Sequence, residues 1–464
     1  GVVIPNLLSY MHSVVVLDIK FENWIKTSGF RAQHGQECFF FCPSNPEMRS
    51  HRWNPLSYIR ADDAFRDGDI QDIASALYPS GGKHGFWNDN AQILFHGLVL
   101  YALETPTEAV TMHNIVCLTS PSNGEKLHKW IDLMIERRQS AASGLPKLSR
   151  ACIQSLRDFS NNNDTVRADI LSTFLAPLKI FRTPVIAAAT SGDDFDLRDV
   201  RKKKMSIYIG MTPGDLVKYS LLINLFFTQL INENTRTLPE NDPSLKYQCL
   251  LIMDEFTSLG RVNIIQKAVA YMAGYNMRLL LIFQNKMQIA GREDGYGQEG
   301  ASTLMTNCAM RILYQPKENE DAKEYSEILG YQTVKAKSRS RQLAGRSGNS
   351  VSESDQRRAL MLPQEIKEIG DNKVIISLEN CRPIFADKIC YWNDPAFEGR
   401  FNLPTPPVPA LDISTTAIDD LKSLSDAFTD LHVDDIANQR EILEAIGKSI
   451  GFDFFNDSEL ALAA

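Results

Sequence analysis

The chain has 464 residues, 44% of them hydrophobic, and a formal net charge of −8. That length allows more than one domain, and that apolar content supports a large core and excludes wholesale disorder. Twelve acids against three bases fall in residues 412–464, so the body is near neutral and a strong overall basic footprint for nucleic acid is excluded. The eight cysteines, Cys38 and Cys42 among them, lack zinc-site spacing and read as the reduced thiols of a cytosolic protein. No apolar run reaches transmembrane length. The chain opens on Gly1 without a charged leader, and the expectation is a fragment whose beginning lies upstream.

In chain order, Gly1 to Leu8 reads as a helical start broken by Pro5, and Ser13 to Ile19 as a buried strand whose tip carries Asp18 and Lys20. Cys38 to Cys42 is a second short strand. The texture then changes. Asp69 to Tyr78, Trp87 to Leu103, Lys126 to Arg138 and Val166 to Phe181 carry helical spacing, with one ambiguous run at Asn114 to Thr119. Trp87, Phe95 and Tyr101 fall at helical spacing and read as core. Met205 to Gly210 resumes the strand pattern, followed by a helix over Leu221 to Asn232. Further strands are expected at Ala309 to Tyr314 and in a hairpin of Val374 to Leu378 with Ile384 to Tyr391, with a helix at Ala322 to Leu329. Lys335 to Arg358, rich in Ser and Arg, reads as a mobile loop. Pro404 to Pro409 reads as a linker into an acidic tail, whose amphipathic piece Ile436 to Ile446 suggests partial folding. The division is an α/β nucleotide-binding-type domain in two parts (1–68 and 183–403), an all-α insertion (69–182), and a linker with an acidic tail (404–464).

The chemistry concentrates at Leu250-Leu251-Ile252-Met253-Asp254-Glu255. Four apolar residues running into two carboxylates read as a strand buried on both faces with acids at its tip. Because burying charge is costly, such acids need a task. In nucleotide hydrolysis the first, Asp254, holds Mg²⁺ on the phosphates and the second, Glu255, orients and deprotonates the attacking water. The competing reading is a helix cap at a strand-to-helix turn. Val262 to Tyr271 follows as a helix and Met277 to Phe283 as another strand, ending in Gln284. Strand, helix, strand makes a right-handed crossover in a parallel sheet, which puts Asp254, Glu255 and Gln284 on one rim. There the Gln284 amide can bond phosphate or water and so sense the γ-phosphate. Asp18 and Lys20 sit beside the same rim, with nucleotide-linked function and a local salt bridge both open.

Several segments, in this order, resemble the coupling ATPases of bacterial conjugation and type IV secretion, the TraG-like family. They are Gly1 to Leu8, Ser13 to Lys20, Arg52 to Leu56, Met253 to Phe256 with Leu259-Gly260-Arg261, Met272 to Tyr275, and Gln284. The resemblance runs to about Arg400. It implies a RecA-like P-loop NTPase sheet with an inserted all-α domain, ATP and Mg²⁺ as cofactors, and a homo-hexamer on the cytoplasmic face of the bacterial inner membrane. It further implies as partners a relaxase with single-stranded DNA, or protein effectors, and the inner-membrane secretion channel. The family's Gly-rich phosphate loop ends a few residues before the position of Gly1, and no Gly-x-x-x-x-Gly-Lys-Ser/Thr occurs in the sequence. The chain alone is therefore expected to bind ATP poorly. Phe21 stands where the family has Gly, and Thr257 where it has Pro.

A ring ATPase also needs an arginine from the neighbouring subunit. Arg261 and Arg278 are the candidates, with Arg311 a weaker one; each competes with an ordinary surface role. Arg201-Lys202-Lys203-Lys204 reads as a DNA-facing loop or a solvated turn. The motor reading has one rival, a non-hydrolysing receptor or docking platform built on the helical domain and the acidic tail.

Overall fold

The computed structural model describes residues 1–413, apart from 82–83, 122–123, 141–143, 292–294 and 341–349. The expected acidic tail lies outside the described residues. Ten strands are described: β1 Ser13–Asp18, β2 Glu37–Phe41, β3 Met205–Gly210, β4 Cys249–Met253, β5 Met277–Leu281, β6 Met310–Leu313, β7 Tyr331–Ser340, β8 Ser350–Ala359, β9 Lys373–Leu378 and β10 Ile384–Asp387. The first five form a parallel sheet in the order β2-β3-β1-β4-β5. β1 and β3 are buried at every position and β4 at all but one. That double burial is why they read as unbroken apolar runs rather than as alternating strands. β5 closes one edge and is only half-buried beyond Met277.

Between β2 and β3 the described residues form only helices and turns, from Asp63–Leu77 to Pro184–Ala189. Side-chain caps start several of them: Asp62, Thr111, Ser149 and Asn163 each accept a backbone N–H of the first turn. The ambiguous run resolves as the helix Met112–Cys117. The helix Arg150–Ser160 escaped the sequence reading, although Cys152, Leu156 and Phe159 mark its buried face. These helices share one continuous core with the sheet. At the junction the fully buried Trp53 meets Phe226 at 4.9 Å and Phe41 at 5.8 Å. Pro5 does not break the first helix, Val3–Leu7, because it lies in the first turn, where no N–H is needed.

Beyond β5 the architecture changes. β6 does not join the parallel sheet; it pairs antiparallel with β9, which pairs with β10. The segment expected to be a loop is instead the ribbon β7–β8, in register from Tyr331↔Ala359 to Ser340↔Ser350. Its polar composition suits a ribbon that meets water on both faces. Cross-strand pairs support it: Lys337 lies 2.9 Å from Glu353, and the Arg357 guanidinium stands 3.7 Å over the Tyr331 ring. The ribbon's tip lies outside the described residues.

Residues 402–411 do not leave the body as a linker. They form a strap across the helix Glu22–Gln33 to the loop after β2: the Asn402 N–H donates to the Lys26 carbonyl (3.2 Å), Ser50 N–H to Pro409 (3.0 Å) and Leu411 N–H to Met48 (2.7 Å). Gly29 makes this crossing possible. A Cβ there would stand 2.5 Å from the Pro404 carbonyl oxygen and 2.6 Å from that of Leu403. Gly29→Ala is therefore expected to lower stability by about 1–3 kcal/mol and to expose residues 402–411 to protease. Urea denaturation with limited proteolysis checks this; unchanged stability and cleavage would show that the strap yields at no cost.

Candidate functional site

The parallel register builds the site. Leu17 of β1 pairs with Met253 of β4, and Met253 with Leu281 of β5. One residue further, Asp18, Asp254 and Ile282 stand in a row at the carboxyl ends of the three strands. The ladder closes there, with Ile282 N–H on the Met253 carbonyl (3.1 Å) and Phe256 N–H on the Ile282 carbonyl (2.9 Å). Gln284 follows two residues on and is exposed.

Asp254 is half-buried. Burial first, and then the adjacent Glu255 carboxylate, push its pKa up; the Glu255 N–H and Lys20 pull the other way. Glu255 itself adopts φ +51, a left-handed conformation that is costly for a side chain of its kind. The turn is over-determined by its surroundings. Ser258 N–H donates to the Glu255 carbonyl (2.8 Å), and Phe256 is fully buried and stacked on Tyr296 at 5.3 Å. Gly260 then takes φ +66 and ψ −154, which a side chain resists. Glu255 stands at the N-cap position of the 3-10 turn Phe256–Leu259, but its side chain makes no capping hydrogen bond.

Asp18 does have a capping task. Its buried carboxylate accepts N–H groups of Trp24 (2.7 Å) and Asn23 (3.3 Å) and the Asn23 side-chain amide (3.3 Å), fixing the start of the helix Glu22–Gln33. Burial pushes its pKa up to about 6 against those hydrogen bonds. The turn before that helix places Phe21 at φ +59, where glycine is the easier residue, and the Phe21 ring packs edge-on to Phe40 at 5.7 Å. Lys20 is exposed at the same tip.

The arginine candidates separate. Arg261 is exposed in the turn after the acids and donates to Gln266 (3.1 Å). Arg278 pairs in register with Leu250, at the opposite end of the strand from Gln284, and its guanidinium holds the Ala273 carbonyl (2.6 Å); the structure does not bring it to the rim. Arg311 on β6 holds the Met305 carbonyl (3.0 Å). The basic run is tied down as well. Arg201 is buried against Asn234, Thr237 and Tyr275, while Lys203 pairs with Glu37 and Asp199, and Lys202 with Asp199.

A trough of about 1540 Å³ runs between β5 and β6, whose facing edges pair with no strand among the described residues, and Asp254, Gln284 and Gly1 are in its lining. Sequence reasoning missed Lys286, which reaches across it to Glu324 (3.2 Å), and Gln288, which bonds to both Thr257 and Gln284. The cap signal Asn285 before a short helix was their only trace.

The profile of the family described as type IV secretory system conjugative DNA transfer matches residues 1–411. The chain belongs to that family. It is 26% identical over 457 residues to the conjugal transfer protein TraG of Escherichia coli, covering 90% of this chain and 69% of that protein. It is 30% identical over 399 residues to protein VirD4 of Agrobacterium fabrum, covering 85% of this chain and 57% of that protein. The chain thus spans only part of the length of these relatives. Among solved structures it is similar to the bacterial conjugative coupling protein TrwBdeltaN70 in an unbound form, with a TM-score of 0.56 at 16% identity over 85% of this chain and 80% of that one. The fold of this type IV coupling protein is accordingly the RecA-like P-loop NTPase fold. Among the described residues no helix is long and apolar enough to cross a membrane.

The Asp18 environment sets a pH test. An acid whose folded pKa lies near 6, above its ordinary value of 3.8, stabilises the fold when protonated, and that stabilisation is lost as pH rises from about 4 through about 6. The stability of the unaltered chain relative to Asp18→Asn should fall over that window by on the order of 2–3 kcal/mol and level off above it. Urea titrations at several pH values read this directly. A difference independent of pH would show that Asp18 ionises normally.

Proposed function

We propose that this coupling protein is an ATP-driven motor. In this reading it accepts relaxase-bound single-stranded DNA, or protein effectors, and hands them to an inner-membrane secretion channel. It works as a homo-hexamer at the cytoplasmic face. The observation that carries the motor reading is the register of β1, β4 and β5, which supports Asp254, Glu255 and Gln284 acting together on one rim.

Asp254 suits Mg²⁺ because it is a half-buried carboxylate beside a second one, and a hard cation relieves that repulsion. When bound, Mg²⁺ neutralises charge on the phosphates. Among the described residues no group of three or more His, Cys, Asp or Glu is gathered to hold a metal. Asp254 would accordingly share the cation with phosphate oxygens. Glu255, aimed by its left-handed turn, takes the proton of the attacking water. The Gln284 amide bonds a phosphate oxygen or, once that is gone, water. Arg261, exposed beside the acids, is the better placed of the two candidates to reach a neighbouring subunit; Arg278 is held within the trough.

No Gly-x-x-x-x-Gly-Lys-Ser/Thr occurs in the sequence, so the motor reading requires a phosphate loop from outside these residues. Gly1 lines the trough between β5 and β6, as do Asp254 and Gln284. In the full-length protein, single-stranded DNA should stimulate ATP turnover. Glu255→Gln should lower that turnover at least about 100-fold. Assembled oligomers without turnover would favour a docking platform instead.

A further inference from the structure

Beyond the main-chain bonds that end the β4–β5 ladder, the two strand tips diverge. One folds into the left-handed turn at Glu255, and the other runs on to Gln284. Among the described residues, Gln288 is the side chain that hydrogen-bonds to both. Its Oε1 accepts the Gln284 backbone N–H at 3.4 Å and the Thr257 hydroxyl at 3.3 Å. The base of this side chain is fixed. Asn285 Oδ1 accepts the Gln288 N–H (2.9 Å), starting the turn Lys286–Ile289. Ile289 is buried, and its carbonyl accepts the Tyr296 N–H at 2.7 Å. Tyr296 in turn is the ring on which Phe256, the residue after Glu255, is stacked. One carbonyl oxygen on an anchored turn therefore holds the residue two past the candidate base and the backbone of the candidate sensor.

We infer that Gln288 is a positioning residue that ties the Glu255 turn to the Gln284 tip, so that a shift of Gln284 on loss of a phosphate contact moves the general base. This rests on the motor reading above. Gln288 touches neither nucleotide nor water in this role; it acts through Thr257 and Gln284. The tie works by a shared acceptor. Losing either donor or the acceptor loosens the same geometry, and the losses do not accumulate.

The test uses the full-length protein with ATP and single-stranded DNA. Gln288→Leu and Thr257→Val should each lower kcat about three- to tenfold, with KM for ATP within about twofold. Thr257→Ser, which keeps the hydroxyl, should restore the rate. The double variant Gln288→Leu with Thr257→Val should be no slower than the worse single one. Fully multiplicative losses, equal behaviour of the Ser and Val variants, or unchanged kcat would each overturn the tie. Amide hydrogen exchange at Gln284 reads the tie without turnover. Its protection should drop in Gln288→Leu, and unchanged protection overturns the proposal even if the protein hydrolyses nothing. Glu255→Gln in the same assay separates the two ideas, because it tests the motor alone.

Discussion

The rim depends on one constraint: β4 is held between β1 and β5 with both faces covered. A strand so placed satisfies its main chain in two ladders and admits only apolar side chains. The first polar residue it can carry is at its tip. Cys249 to Met253 obeys this, and Asp254 and Glu255 arrive together as soon as the ladder ends. The same ladders fix the neighbouring tips in height. Asp18 and Ile282 are level with Asp254 by backbone geometry alone, before any side chain interacts. The strained Glu255 turn is affordable here because buried Phe256 and the Ile282 carbonyl clamp the residue that follows it.

This constraint also explains how much could be read in advance. β1, β3 and β4 were legible because burial on both faces leaves an unbroken apolar run bounded by turns. The acids and Gln284 were legible because a strand–helix–strand order puts strand ends on one rim. What failed was information that only register or partners carry. Met277 to Phe283 reads as buried as β4 does, yet β5 lies at an edge, and nothing in its composition says so. Arg278 lies at the far end of its strand from Gln284, which spacing along the chain does not reveal until Leu250 is known to be its partner. Asp18 and Asp254 look alike as strand-tip acids, but one is taken up by the backbone of a helix. The ribbon β7–β8 went unseen because serine and arginine on two wet faces have the composition of a loop.

An apolar edge strand is normally covered, blunted or charged, since its open ladder invites pairing. Among the described residues no strand pairs with the outer edge of β5, and the guanidinium of its Arg278 is turned to a backbone carbonyl. β6 faces it across the trough, its outer edge likewise without a partner strand among the described residues. The trough between them is lined by apolar residues of both strands, with Asp254 and Gln284 also in its wall.

Gly1, just before the helix Val3–Leu7, lines the trough together with Asp254. At the other end of that helix, Arg31 is buried and has no carboxylate partner among the described residues. Its guanidinium instead collects the carbonyls of Leu7, Tyr10 and His12, while Ser206 and Gln36 complete the set. A buried charge is tolerable when every donor is used, and these donors are used to hold one turn of backbone. Arg400, just before the strap, lies over Phe30 and reaches the Leu8 carbonyl, pressing on the same turn from outside. The short helix is thus pinned at its carboxyl end by two arginines, one from inside the core and one from its surface.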